Sequence, residues 1–109
     1  MKKCRQACIY VGLNDSDTHV QEHDTERYVS ILQNVCKAYH VAFSMSQIKG
    51  GYLHEDGTYV KEDSLALTFL DVDDEVIKEI AKDLCAFFNQ ESVMVTYMPA
   101  EILFIKESI

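Results

Sequence analysis

The sequence predicts an α+β fold of the ferredoxin-like type, βαββαβ, with an antiparallel sheet and two helices on one of its faces. Three observations lead to it. Apolar residues alternate with period two in four places, the mark of half-buried strands. Between the first and second of these, and again between the third and fourth, they recur at helical spacing. Between the second and third lies only a short turn, "HEDGT", so those two strands form a hairpin.

The first strand is written by Ala7, Ile9, Val11 and Leu13, alternating with Cys8, Tyr10 and Gly12. A polar stretch, "NDSDTHVQEHDTER", follows. Tyr28, Leu32, Val35 and Tyr39 then make a helical stripe, widened by Ile31, Cys36 and Ala38, and the first helix ends near His40. Val41, Phe43 and Met45 begin the second strand. Its phase breaks near Ile48, and Gly50 with Gly51 predicts a bulge or a close backbone approach. In the turn, Gly57 is free to take positive φ. Tyr59 opens a third strand that continues through Leu65, Leu67 and Phe69. Asp73 is placed to cap the second helix, with Val72 and Ile77 as a hydrophobic staple. The stripe of that helix is Val76, Ile80, Leu84 and Phe87. Val93, Val95 and Tyr97 make the fourth strand, Pro99 interrupts it, and "EILFI" adds a short C-terminal strand.

With both helices on one face, Ile9, Val11, Leu67 and Val95 point toward them. Cys8, Tyr10, Ala66, Thr68, Leu70, Met94, Thr96 and Met98 then point away, and half of that face is apolar. A solvated face is more polar than this. The expectation is a two-fold homodimer, packing there through Tyr10, Leu70, Met94 and Met98 or along an edge strand.

A chain of 109 residues, 48% of them hydrophobic, is the size of a single domain with its own core, here residues 1–109. Ten basic residues against 18 acidic ones leave a net charge of -8. That excludes direct nucleic-acid binding, which depends on clustered Lys and Arg, and suits a basic protein partner. No apolar run is long enough to span a bilayer. "MKKCRQACIYVGL" starts basic but its apolar part is short and carries Tyr10, so it reads as a strand and not a leader. Cys4, Cys8, Cys36 and Cys85 form no CxxC pair, and Cys36 and Cys85 fall on apolar helix faces. Buried free thiols imply a reducing, cytoplasmic setting, that of the bacterial host cell if the protein is phage-encoded.

Several segments carry chemistry-bearing residues. "HVQEH", residues 19–23, matches the pattern by which two histidines on a helix hold zinc beside a glutamate, but it lies in a polar loop, and we expect no metal and no cofactor. "HEDGTYVKED", residues 54–63, gathers His54, Glu55, Asp56, Glu62 and Asp63 at the hairpin without the ligand spacing of a calcium loop. "DVDDE" places carboxylates in a helix's first turn, where the macrodipole favours them. Cys8 and Tyr10 on the open face have no histidine beside them, so no activated thiol is evident. In "NQESVMVTY", residues 89–97, Asn89 and Gln90 end the second helix and Ser92 is placed to bond its free carbonyls. Glu91 stands there either as part of the junction or as a binding carboxylate at a cavity rim.

Three of these segments resemble a small family of uncharacterised bacterial and phage proteins. They are the "YVGLN" of Tyr10 to Asn14, Glu62 before the apolar run of the third strand, and the "QESV" of Gln90 to Val93. The resemblance covers most of the chain and carries no assigned activity. The first helix departs from it by lacking a Trp.

The favoured function is a non-catalytic binding protein, a phage-encoded inhibitor of a bacterial defence system of the anti-CRISPR type. It would present Asp15, Asp17, Glu55, Asp56, Glu62 and Asp63 to a protein partner. A rival is a dimeric binder of a small molecule or cyclic-nucleotide signal, using Tyr10, Thr96 and Glu91 around the open sheet face. Few basic residues, chiefly Lys49, Lys61 and Arg27, are present to hold an anion. A third reading, a dimeric α+β barrel enzyme, is weakened by the missing histidine on that face.

Overall fold

The computed structural model describes residues 1–107. The elements follow the order β1 (Lys2–Gly12), α1 (Thr25–Ala38), β2 (Ser44–Leu53), β3 (Tyr59–Leu70), α2 (Asp74–Phe87) and β4 (Met94–Ile102). The four strands form one sheet in the order β2-β3-β1-β4, with every neighbouring pair antiparallel. This is the ferredoxin-like arrangement, with both helices packed on one face.

The local chemistry explains the helix ends. At the start of α1 the Asp24 carboxylate accepts the Arg27 backbone N–H at 3.1 Å, with Glu26 in the first turn and Lys37 in the last complementing the macrodipole. Both helices stop at a residue of positive φ, His40 at 56° and Asn89 at 47°. In each case the next N–H turns back onto the helix, Val41 to the Cys36 carbonyl at 3.3 Å and Gln90 to the Cys85 carbonyl at 2.9 Å. Asp73 does stand at the start of α2, but its side chain makes no capping bond. The first turn relies instead on the charges of Asp74 and Glu75, and Asp74 pairs with Arg5 at 3.2 Å.

The core is Ala7, Ile9 and Val11 from β1 with Leu13 just after it, Leu65, Leu67 and Phe69 from β3, Tyr28, Leu32, Val35 and Cys36 from α1, and Ile77, Ile80, Ala81 and Leu84 from α2 with Phe88 at its C-cap. One expected core residue is misplaced: Phe87 is 62% exposed, and Phe88 is buried in its stead, edge-on against Tyr28 at 5.0 Å between ring centres. The inward row is 77, 80, 81, 84 and 88: Ile80 and Leu84 are buried as expected, Val76 is only partly buried beside the fully buried Ile77, and Phe88 replaces Phe87. Burial pushes the Cys36 thiol up to about 11, which keeps it protonated.

Two strands differ from the sequence expectation. Residues Gly50 and Gly51 form no bulge: β2 pairs with β3 in unbroken register from Ser44 opposite Thr68 to Leu53 opposite Tyr59. The close approach does occur, because the Tyr59 hydroxyl and the Val60 carbonyl occupy the space where a side chain of Gly51 would stand. Pro99 does not interrupt β4 but sits within it, opposite Arg5. As β4 is an edge strand, proline's missing N–H removes no ladder bond when it faces outward. Of "EILFI", Glu101 and Ile102 belong to β4, while residues 103–105 form no strand and are exposed.

β1 ends opposite Ser64, so residues 50–53 of β2 and 59–62 of β3 pair only with each other and project beyond the sheet. The molecule is accordingly long, 59 by 28 by 27 Å. No helix among the described residues is long and apolar enough to cross a membrane.

Candidate functional site

The projecting hairpin forms one wall of an open cleft of about 610 Å³. Tyr52, Leu53, His54 and Glu55 come from the hairpin, and Glu62 from the start of β3. The loop after β1 supplies Asn14, Asp15, Ser16 and His19, and the α2–β4 junction supplies Gln90, Glu91 and Ser92. Four carboxylates line it and no Lys or Arg does. Its size falls in the range that encloses a small molecule.

Each wall is held by named bonds. The Asp15 carboxylate accepts the N–H groups of Asp17 at 2.8 Å and Thr18 at 3.2 Å, closing a tight turn. Asn89, at the left-handed end of α2, donates its side-chain amide to both oxygens of Asp15 at 3.0 Å and to Asp17 at 2.9 Å. The Asp15 carboxyl is therefore held below its ordinary value, first by Asn89, then by the backbone of Asp17 and Thr18. Gln90 donates to the Asn14 carbonyl at 2.6 Å, and the Asn14 side chain donates to the Lys61 carbonyl at 3.1 Å. The Asn14 N–H in turn reaches the Glu62 carboxylate at 3.2 Å. Loop, helix end and hairpin thus brace one another around the cleft.

The residues singled out from sequence separate on this geometry. Asp15, Glu55, Glu62 and Glu91 come together at the cleft. Asp56 closes the hairpin turn through the Thr58 N–H at 2.8 Å, which is the main reason its carboxyl is lowered. Asp63 has the opposite side-chain parity to Glu62 and lines a different, smaller cavity beside Leu13 and Thr25. Asp15, Asp17 and Asp56 are therefore structural acceptors as well as surface charges. Tyr10 and Thr96 lie on the open sheet face away from the helices and do not line the cleft that holds Glu91. The Cys8 thiol beside Tyr10 is the main influence raising that phenol above its ordinary value.

Leu70, Met94 and Met98 are about half exposed, at 48%, 58% and 54%, so the open face does carry uncovered apolar surface. "HVQEH" is not helical, since α1 begins at Thr25, and Glu22 instead accepts a short hydrogen bond from Thr18. Among the described residues no cluster of three metal-ligating side chains forms. In the "NQESV" junction the helix-end carbonyls of Ala86 and Cys85 accept the backbone N–H groups of Asn89 and Gln90, while Ser92 lines the cleft with Glu91. Tyr52, Leu53 and Asn14 line the cleft without having been expected from sequence; the regular hairpin register, with no bulge at Gly50 and Gly51, is what carries Tyr52 out to it.

Residues 6–104 match the model of a family described as "Protein of unknown function (DUF3574)". A comparison with curated proteins finds no match. Among solved structures, a phage SAM lyase in complex with S-methyl-5'-thioadenosine is 25% identical, with a TM-score of 0.67 over 87% of this chain and 80% of that one. The phage SAM lyase in its apo state is likewise 25% identical, with a TM-score of 0.69 over 89% and 81%. CutA from Synechococcus elongatus shares the fold at 12% identity, TM-score 0.57, over 92% and 81%.

Proposed function

The chain belongs to the DUF3574 family, and from that premise we propose that it binds S-adenosylmethionine in the acidic cleft and cleaves it to S-methyl-5'-thioadenosine. The observation that carries this reading is the cleft itself, lined by four carboxylates and two histidines, His19 and His54, with no Lys or Arg. S-adenosylmethionine bears two positive charges, a sulfonium and an ammonium, against one carboxylate. A cleft with four carboxylates and no Lys or Arg attracts it and repels anionic nucleotides. Tyr52 and Leu53 offer an aromatic and an aliphatic surface for the adenine ring. The 25% identity to a phage SAM lyase supports the same ligand class.

In the cleavage, the bond between sulfur and the γ carbon of the amino-acid chain breaks and its electron pair goes to sulfur. The substrate's own α-carboxylate oxygen attacks the γ carbon, so a C–O bond forms as the C–S bond breaks; sulfur leaves as a neutral thioether and the four-carbon fragment closes to a lactone that keeps the ammonium, so one substrate becomes two products without water. A carboxylate held beside the γ carbon stabilises positive charge as it develops there. Glu62 and Glu91 are the residues we assign to that task.

The test is calorimetry with S-adenosylmethionine and S-methyl-5'-thioadenosine, paired with chromatography of the products. The wild-type protein should bind the cation and release the thioether. Glu62→Gln should weaken binding by about tenfold, worth about 1.4 kcal/mol. Wild-type protein that leaves millimolar S-adenosylmethionine unbound and intact overturns the reading.

A second reading has its own observation. Glu55 and Asp56 sit exposed on a hairpin that projects beyond the sheet, a shape suited to insertion into a basic protein partner in the cytoplasm of an infected bacterial cell. Association through Asp15, Asp17, Glu55, Asp56, Glu62 and Asp63 would weaken with salt, and Asp56→Asn, outside the cleft and still able to accept the Thr58 N–H, would slow it while leaving cleavage of S-adenosylmethionine intact. The open face, with Tyr10, Leu70, Met94 and Met98, we assign to contact with a second copy of the chain.

A further inference from the structure

We propose that Gly12 is a positioning residue, whose missing side chain seats the Glu62 carboxylate at the cleft. The role of Glu62 toward a cation rests on the function proposed above; the seat itself rests on geometry alone. A Cβ built on Gly12 would lie 2.7 Å from Cδ and Oε2 of Glu62 and 2.8 Å from Oε1. The carboxylate therefore fills the volume that any other residue at position 12 would claim.

The register explains the contact. Gly12 pairs with Ser64, and Glu62 lies two residues along β3 on the same face. At this point β1 ends, and the Glu62 side chain lies over the glycine to accept the Asn14 N–H at 3.2 Å. Asn14 is itself fixed from two directions, by Gln90 on its carbonyl and by its own side chain on Lys61. Among the described residues no Lys, Arg or His forms an ion pair with Glu62. The result is a half-buried carboxylate, held by a neutral donor and open to an incoming cation.

Backbone need does not account for this glycine. Of the four glycines only Gly57 has positive φ, so alanine is allowed at position 12 by the backbone. The obstruction is the far end of a flexible side chain, which can swing away at little cost to the fold. Gly12→Ala should thus spare stability and displace Glu62. A glycine kept only for folding would behave the other way.

The experiment has a ligand-free arm and a ligand arm. By NMR, Gly12→Ala should shift the Glu62 side-chain carboxyl resonance and speed exchange of the Asn14 amide, with the melting temperature nearly unchanged. In titrations with S-adenosylmethionine, Gly12→Ala should weaken binding by about the same factor as Glu62→Gln, about tenfold. With Glu62→Asp, whose carboxylate is withdrawn by one methylene, adding Gly12→Ala should have no further effect. Unchanged Glu62 and Asn14 resonances in Gly12→Ala overturn the proposal, as does a loss of binding that persists undiminished in the Glu62→Asp background. If wild-type protein ignores S-adenosylmethionine, the function fails while the NMR arm still decides the role of Gly12.

Discussion

Asn89 does two jobs with one residue. Its backbone takes the left-handed conformation that ends α2, and its side-chain amide holds Asp15 and Asp17 against the helix end. Asparagine tolerates this conformation better than most residues, and its short amide reaches carboxylates nearby. The two jobs can be separated. Asn89→Ala should lower stability by on the order of 1 kcal/mol through backbone strain. Asn89→Gly should retain the helix end yet speed amide exchange at Asp17 and Thr18, because the glycine keeps the turn and drops the donors. Equal exchange in Asn89→Gly and wild-type protein would show that the loop does not depend on the amide.

The same contact fixes a pH dependence. The Asp15 carboxyl is lowered from 3.8 in the folded chain. A lowered folded value means that its contribution is fully present above the unfolded value, 3.8, and is lost as pH falls through the lower folded one. Acid titration of the Thr18 amide shift should therefore show the loop opening below pH 3.8 and nothing from Asp15 above about pH 5. Asp15→Asn should remove that acid step.

Helix α2 shows how a one-residue shift at its C-terminal end redistributes burial. Ile77, Ile80, Ala81, Leu84 and Phe88 face inward, and Phe87 faces out. Both phenylalanines stand at the end of the helix, where its regular turn gives way to the left-handed residue. Phe88→Ala should cost about 3–5 kcal/mol, the usual penalty for emptying a buried aromatic site. Phe87→Ala should change denaturant-unfolding stability by less than about 0.5 kcal/mol. The β2–β3 hairpin is the other element with consequences. Its outer half gains no sheet neighbour and exists to carry Tyr52, Leu53, His54 and Glu55 to the cleft.

At the scale of the whole molecule, uncovered apolar surface remains on the open face and in the chain after β4, besides that of Leu53 and Tyr59 on the hairpin and of Phe87. The open face presents Leu70, Met94 and Met98, and the chain after β4 presents Leu103, Phe104 and Ile105, the last two more than four-fifths exposed. Monomers rarely leave such surface in water. We expect sedimentation at micromolar concentration to show a homo-oligomer, and Met94→Asp to dissociate it while circular dichroism stays native. Oligomers that withstand Met94→Asp would assign the contact to an edge strand or to the segment after β4.

The order of strands and helices was legible because it depends on local period and turn chemistry. Ile9, Val11, Leu65 and Leu67 declare their face by alternation, and Gly57 declares a turn. The match over residues 6–104 agrees with the expectation of an uncharacterised family, while the "QESV" segment on which part of that resemblance was built is not shown by it. What sequence order could not decide is which charged residues meet. Asp15, Glu62 and Glu91 are distant in the chain and become neighbours only when antiparallel pairing brings the end of β1, the start of β3 and the end of α2 to one end of the sheet. Parity along a strand then divides adjacent carboxylates, sending Glu62 to the cleft and Asp63 to the other side, a separation of faces that reading a run of acidic letters does not contain. Alternation sets what a residue faces within its own element; register sets what it touches in another, and the seat of Glu62 on Gly12 is a matter of register.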